Sequence, residues 1–264
     1  MIQKLSKKTH LSFSYCTKFV FRKNLKMTIK KYIPNTITLL NLLCGCIALV
    51  FISEKDFLTA FFFVCLGIFF DFFDGFFARL FNVSSPLGLQ LDSLADMVTS
   101  GLVPGYAMFL LLCNSDSIPI VFFPYLGFVV TLGACYRLAN FNIDTRQTNS
   151  FIGLPTPANA LFVLSLPLIL AHEQFQFVTM LLKNSWFLFF VLILSAFIMN
   201  AEIHLFSLKF KKLNVKDNLL QIVFLLIAIL LIFIFHFLGV ALAILFYVGL
   251  SIVQNVFFKP EKLL

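Results

Sequence analysis

Asp71-Phe-Phe-Asp74-Gly75-Phe-Phe-Ala78-Arg79 is followed, after eight residues, by Gly88-Leu-Gln-Leu-Asp92-Ser-Leu-Ala-Asp96. Four carboxylates thus stand within some of the most apolar sequence of the chain. An ionised carboxylate in hydrocarbon costs about 3 kcal/mol by insertion scales. Neighbouring carboxylates also repel one another unless cations are present. A chain that keeps four such groups together points to a cation-dependent site. On a helix, residues three and four apart are neighbours. Asp71, Asp74, Gly75 and Ala78 therefore share one face, and Gly88, Asp92 and Asp96 share a face of the next helix.

The surrounding composition fixes the fold class. Of 264 residues 60% are hydrophobic and 12% charged, with 37 phenylalanines, which excludes an ordinary soluble domain. A spanning helix needs roughly 20 mostly apolar residues. Eight segments qualify: 36–53, 57–80, 88–113, 119–140, 156–172, 178–198, 218–236 and 240–257. The expectation is an all-α polytopic membrane protein of about eight transmembrane helices. The six cysteines fall mostly within these segments and read as small apolar residues, not as disulfides or a zinc site.

Charge orders the loops. Residues 1–31 hold nine Lys/Arg and no acid. With that end in the cytoplasm, eight spans return the C-terminus there, and the two sides then carry 18 and 2 basic residues. Both termini are expected to be cytoplasmic, in a bacterial-type inner membrane. The net charge of +8 follows from this topology and from contact with anionic lipids, not from nucleic-acid binding. Residues 1–26 lack the apolar core of a secretory signal and read as a basic, disordered extension, with Met27 as an alternative start. Residues 27–34 read as a short interfacial amphipathic segment that Pro34 ends, with Asn35 or Thr36 capping the first span. That span carries Thr38, Asn41 and Gly45 as one small and polar stripe. Such a stripe serves close helix packing, with or without a polar cavity beside it.

Hard oxygen ligands without His or Cys suit Mg²⁺, Mn²⁺ or Ca²⁺. Mg²⁺ takes few carboxylates and completes its shell with water and phosphate oxygens, so the cluster points to a phosphate-bearing substrate. Gly75, Ala78 and Gly88 leave room beside it. The run D-x2-D-G-x2-A-R-x8-G-x3-D-x3-D resembles the signature of the CDP-alcohol phosphatidyltransferase family at every position, and the likeness extends from about Pro34 to Lys212.

The resemblance implies six helices forming the family core over 35–212. Residues 213–264 then supply two additional spans and a basic tail. It implies a homodimer in contact with membrane lipids. It also implies metal ligation by Asp71, Asp74, Asp92 and Asp96, with Asp96 as general base, and CDP binding by Asp74, Gly75, Ala78, Arg79 and Gly88. The cofactor would be Mg²⁺ or Mn²⁺, with Ca²⁺ bound without supporting turnover. Pro34-Asn35-Thr36, Arg137-Leu-Ala-Asn140-Phe-Asn142 and Gly153-Leu-Pro155-Thr156-Pro157 resemble members that join CDP-diacylglycerol to L-serine. Arg137 and Asn41 are the candidate acceptor or phosphate contacts. Asn140 departs from a position often basic in the family. Glycerol 3-phosphate or inositol phosphate as acceptor, and a cation-coupled transporter, stand as the alternatives.

Overall fold

The computed structural model describes residues 32–83, 85–116, 120–144, 151–172, 175–206 and 218–257. The extension 1–26, residues 27–31 and the basic residues Arg146, Lys209, Lys211, Lys212, Lys216, Lys259 and Lys262 lie outside them. The first helix, α1, spans Tyr32–Ser53. Pro34, expected to end a separate surface segment, is helical within α1.

Helix α2, Phe57–Phe81, starts at Asp56, whose side chain accepts from the Thr59 N–H at 3.0 Å. Hydrogen bonding from the Thr59 side chain, and then from its backbone N–H, holds the Asp56 carboxyl below the usual carboxylate range. The helix buries Ala60, Val64, Gly67 and Asp74 along one side. It ends at Asn82, whose left-handed backbone (φ 53°, ψ 47°) returns its N–H to the carbonyls of Ala78 and Arg79. After the short loop, Ser85 caps α3, Pro86–Asp96, with its hydroxyl accepting from Gly88 N–H at 3.0 Å and Pro86 in the first turn.

Helix α3 runs through a π-helical turn, Met97–Leu102, into α4, Val103–Cys113. Pro104 explains the widened turn. It offers no N–H to the Ser100 carbonyl, and its ring would clash with a regular turn there. A 3₁₀ turn, Phe123–Phe128, opens α5, Val129–Ile143. A two-residue strand, β1 (Phe151–Ile152), precedes α6, Thr156–His172. Next come α7, Gln176–Lys183, and α8, Ser185–Asn200. Strand β2, His204–Leu205, pairs antiparallel with β1, Ile152 opposite His204.

The polytopic all-α architecture is as expected, but the spans are distributed differently. Among the described residues five helices are long and apolar enough to cross a membrane, or six if α6 and α7, bent by 117°, form one span. The expected sixth segment, 178–198, is broken at Asn184, which is extended and caps α8 through Phe187 N–H at 3.0 Å. The last helix, α9, covers Leu219–Phe257 with a non-helical break at His236 (φ 49°, ψ −120°). Its halves fold against each other. The rings of Phe224 and Tyr247 lie 5.4 Å apart, and a Cβ on Gly239 would press on the Leu231 carbonyl. A straight helix would separate Phe224 and Tyr247 by about 34 Å. The segment is thus an antiparallel hairpin packed on α6, tied to the β2 region by Tyr247 Oη donating to the Phe206 carbonyl at 2.9 Å.

One apolar core joins α4, α5, α6, α8 and the α9 hairpin, and a second joins α1, α2, α4 and α6. The outer faces carry exposed apolar side chains such as Phe72, Leu94 and Phe233, as a lipid-facing surface requires.

The entry to α6 turns on Gly153 (φ +73°), where a Cβ would come within 3.0 Å of the Met199 carbonyl carbon. Gly153→Ala should therefore lose about 1–3 kcal/mol of stability. Gly249→Ala, with nothing within 4 Å of the added methyl, serves as the control. Thermal unfolding in detergent checks the pair, and equal midpoints for both variants would contradict the argument.

Candidate active site

The two carboxylate pairs meet where the end of α2 faces the start of α3. Carboxylate oxygens of Asp71, Asp74 and Asp92 all lie within 4.8 Å of one another. Asp74 is buried, while Asp71 and Asp92 are half-buried. The fourth carboxylate, Asp96, lies close enough for its charge to act on Asp71 and Asp92. Asp96 stands outside this triad and accepts from Asn41 Nδ2 at 3.1 Å. One turn earlier on α1, the Thr38 hydroxyl donates to Asp74 Oδ2. The polar stripe of α1 therefore serves the carboxylates directly as well as helix packing. Asn41, expected to contact acceptor or phosphate, is fully buried and donates to Asp96.

Behind Asp96 the π turn is gripped from two sides. Thr99 Oγ1 donates to the Asn41 carbonyl at 3.1 Å, and Thr131 Oγ1 donates to the Gly101 carbonyl at 3.0 Å. These bonds need close backbones, and glycines supply them. A Cβ on Gly45 would meet the Thr99 backbone at 3.0 Å, and one on Gly67 would meet Asn41 Oδ1 at 2.9 Å. The backbone that carries Asp96 is thus wedged between α1, α2 and α5.

A cavity of about 170 Å³ opens beside the triad, lined by motif residues Asp74, Gly75, Ala78, Gly88 and Asp92, with Thr38 of α1 among its other walls. Gly75 presents bare backbone to it. The atoms nearest an added Cβ would be the Arg79 guanidinium nitrogens, at 3.9 and 4.0 Å. At Gly88 a Cβ would crowd Asn35 Oδ1 and Ser85 Oγ at 3.2 Å. Arg79 does not line the cavity wall; its exposed side chain folds back over Gly75.

Arg137, on α5, is 8% exposed, close enough to Asp96 for the opposite charges to interact, and its Nε–H has no partner. Its guanidinium carbon lies 6.0 Å from the Phe141 ring centroid. Further along α5, Asn142 Nδ2 donates to Ser93 Oγ at 2.8 Å, tying α5 to α3, whereas Asn140 is exposed. Thr156 and Asn159 at the start of α6, and Ser100 in the π turn, are buried with Thr156 Oγ1, Asn159 Nδ2 and Ser100 Oγ unpartnered. Asn159 Oδ1 accepts from Ser195 Oγ at 2.6 Å. Sequence reading missed Thr99, Ser100 and Thr131. Pro104 was the available signal, because it distorts the turn that carries them.

Three hard carboxylates around one small volume fit a divalent cation, and no His or Cys competes for it among the residues of the triad. The cavity beside them has bare backbone walls suited to a phosphate-bearing ligand.

The sequence model of the CDP-alcohol phosphatidyltransferase family matches residues 31–199. The chain is 36% identical over 130 residues to a Bacillus subtilis CDP-diacylglycerol–serine O-phosphatidyltransferase, covering 48% of this chain and 70% of that one. It is 31% identical over 195 residues to a Helicobacter pylori protein of the same name, covering 73% and 79%. A Methanocaldococcus jannaschii protein, again of that name, is 34% identical over 131 residues, covering 50% and 58%.

Asp71→Asn or Asp74→Asn should raise the Mn²⁺ concentration for half-saturation at least about tenfold, since each removes one charged oxygen ligand. Titration of the purified protein followed by Mn²⁺ electron paramagnetic resonance checks this. Unchanged half-saturation in both variants would remove them from the ligand set.

Proposed function

The chain belongs to the CDP-alcohol phosphatidyltransferase family, and from that premise we propose that it transfers the phosphatidyl group of CDP-diacylglycerol to the hydroxyl of L-serine, giving phosphatidylserine and CMP. The observation that carries the reading is the carboxylate triad on the wall of a cavity whose lining includes motif residues of α2 and α3. The names of the relatives support serine as acceptor. So does Arg137, a buried cation near Asp96 with an Nε–H still to be satisfied. A guanidinium fork pairs well with a carboxylate.

A divalent cation held by Asp71, Asp74 and Asp92 would supply charge neutralisation for the pyrophosphate and the departing CMP. The chain's own groups do the rest. Gly75, Ala78 and Gly88 let the nucleotide approach the backbone of α2 and α3. Arg79, folded over Gly75, faces the phosphate side of the cavity. Arg137 orients the serine carboxylate. Asp96 takes the proton of the serine hydroxyl as its oxygen attacks the phosphorus that bears the lipid. The new O–P bond forms as the P–O bond to CMP breaks, and CMP leaves with the electron pair. A neutral hydroxyl is a weak nucleophile, so a base within reach is required.

The distribution of basic residues supports a site at the cytoplasmic face of an inner membrane, where serine and CMP exchange with the cytosol while the acyl chains stay in the bilayer. The family core over 35–212 would act as a homodimer, with the α9 hairpin as an addition to it.

Asp96→Asn should lower turnover by about 10²–10⁴-fold while CDP-diacylglycerol binding persists, as expected for loss of a general base. Near-normal turnover would take Asp96 out of that role. An acceptor screen on purified protein with CDP-diacylglycerol and Mn²⁺ tests the substrate. CMP release with L-serine is expected. Release with glycerol 3-phosphate or inositol phosphate but not with serine would overturn the assignment of the acceptor.

A further inference from the structure

We propose that Asn41 is a positioning residue: its side-chain amide holds one carboxylate oxygen of Asp96 and so fixes the orientation of that group for proton transfer. The inference rests on the reading of Asp96 as general base.

The geometry is specific. Asn41 Nδ2 donates to one oxygen of Asp96, Oδ1, at 3.1 Å. The same residue's backbone carbonyl accepts from Thr99, three residues beyond Asp96. Asn41 therefore grips both the carboxylate and the π turn that carries it. Its exposure is 0%, and its own Oδ1 has no partner. A buried unsatisfied amide oxygen is destabilising. A leucine, with the same branching and no polar atom, would leave none, so packing alone does not account for an asparagine here. The opposite amide orientation would aim Oδ1 at a carboxylate, so the charge of Asp96 itself fixes which way the amide points. Gly67 completes the arrangement. A Cβ there would lie 2.9 Å from Asn41 Oδ1 and 2.8 Å from Thr99 Cγ2, so the absence of a side chain on α2 is what gives the amide its place.

Thr38 makes the contrast. It sits one turn earlier on α1 and donates to Asp74, a triad member. Two donors on one helix face thus address two carboxylates with different duties. Asp74 oxygens lie among those of the triad, whereas Asp96 is not one of its three members. Without the Asn41 bond the Asp96 side chain is free to rotate about its own bonds, and a misplacement of about 1 Å at a reacting group can cost 10²-fold in rate.

The experiment is a double-mutant cycle on the purified full chain, reading CMP release at saturating Mn²⁺ together with CDP binding by calorimetry. Wild-type turnover with serine settles the parent reading separately. Asn41→Leu is expected to lower kcat by about tenfold or more with KM for CDP-diacylglycerol and for serine changed less than about threefold. In the Asp96→Glu background, whose longer carboxylate already leaves the amide's reach, the same change should cost less than about threefold, since residues acting through one another are not additive. Gly67→Ala, which keeps the amide but crowds it, is expected to lower kcat with CDP binding retained. An equal loss from Asn41→Leu in both backgrounds would overturn the proposal. So would a raised serine KM at unchanged kcat, which would make Asn41 a substrate contact. Loss of CDP binding in both Asn41→Leu and Gly67→Ala would overturn it as well, by assigning Asn41 a purely structural role.

Discussion

Mutual repulsion among four carboxylates in an apolar surround is the constraint on which the structure depends. Left to itself, such a cluster would spread or take up protons. The fold answers with short hydrogen-bond donors and close backbones. Thr38 and Asn41 each neutralise part of one carboxylate's charge, and Arg137 brings an opposite charge toward Asp96. Gly45 and Gly67 let α1 and α2 approach the π turn. A cation in the triad would complete the balance. The carboxylates and the helix contacts behind them are therefore one device: the glycines allow the approach, and the approach allows the donors to reach.

The π turn does for Asp96 what regular geometry would not. Gly88, Asp92 and Asp96 share a face of α3, but the widened turn that follows shifts the backbone beyond them. The hydroxyls of Thr99 and Thr131 then bond to carbonyls of other segments. A hydroxyl-to-carbonyl bond of this kind has little competition from water in a buried setting, so it holds the turn firmly. Local irregularity is thereby fixed by neighbours on both sides and set directly behind Asp96.

Much of this was legible in the sequence because it depends on spacing within one helix. The offsets 0, 3, 4 and 7 from Asp71 put Asp74, Gly75 and Ala78 on one face whatever the helix packs against, and those three residues line one cavity. The stripe Thr38, Asn41, Gly45 was visible for the same reason. What the sequence left open depends on contacts between helices. That Asp96 bonds to Asn41 and not to the other carboxylates is a tertiary fact. The reversal at His236 was legible, since the apolar segments 218–236 and 240–257 part there; that the two halves pack on each other is the tertiary fact. Asn184 and Pro34 misled for a local reason. A single residue either breaks or joins apolar segments according to whether the neighbouring backbone bonds are met, and composition is nearly blind to that.

Helix α8 has 16 residues, a length of about 24 Å at 1.5 Å per residue, against a hydrocarbon thickness of about 30 Å. An apolar helix that short could cross only where the adjoining lipid leaflets thin or protein shields its ends. Its C-terminal end packs beside the Gly153 turn that leads into α6, at the end of the bundle where Asp96 and Arg137 lie. Thinning there would lower the headgroup plane toward the cavity. A lipid with a large polar head would then reach the carboxylates with less of its acyl chain withdrawn from the bilayer, so the thickness of the host membrane would bear on access to the cavity.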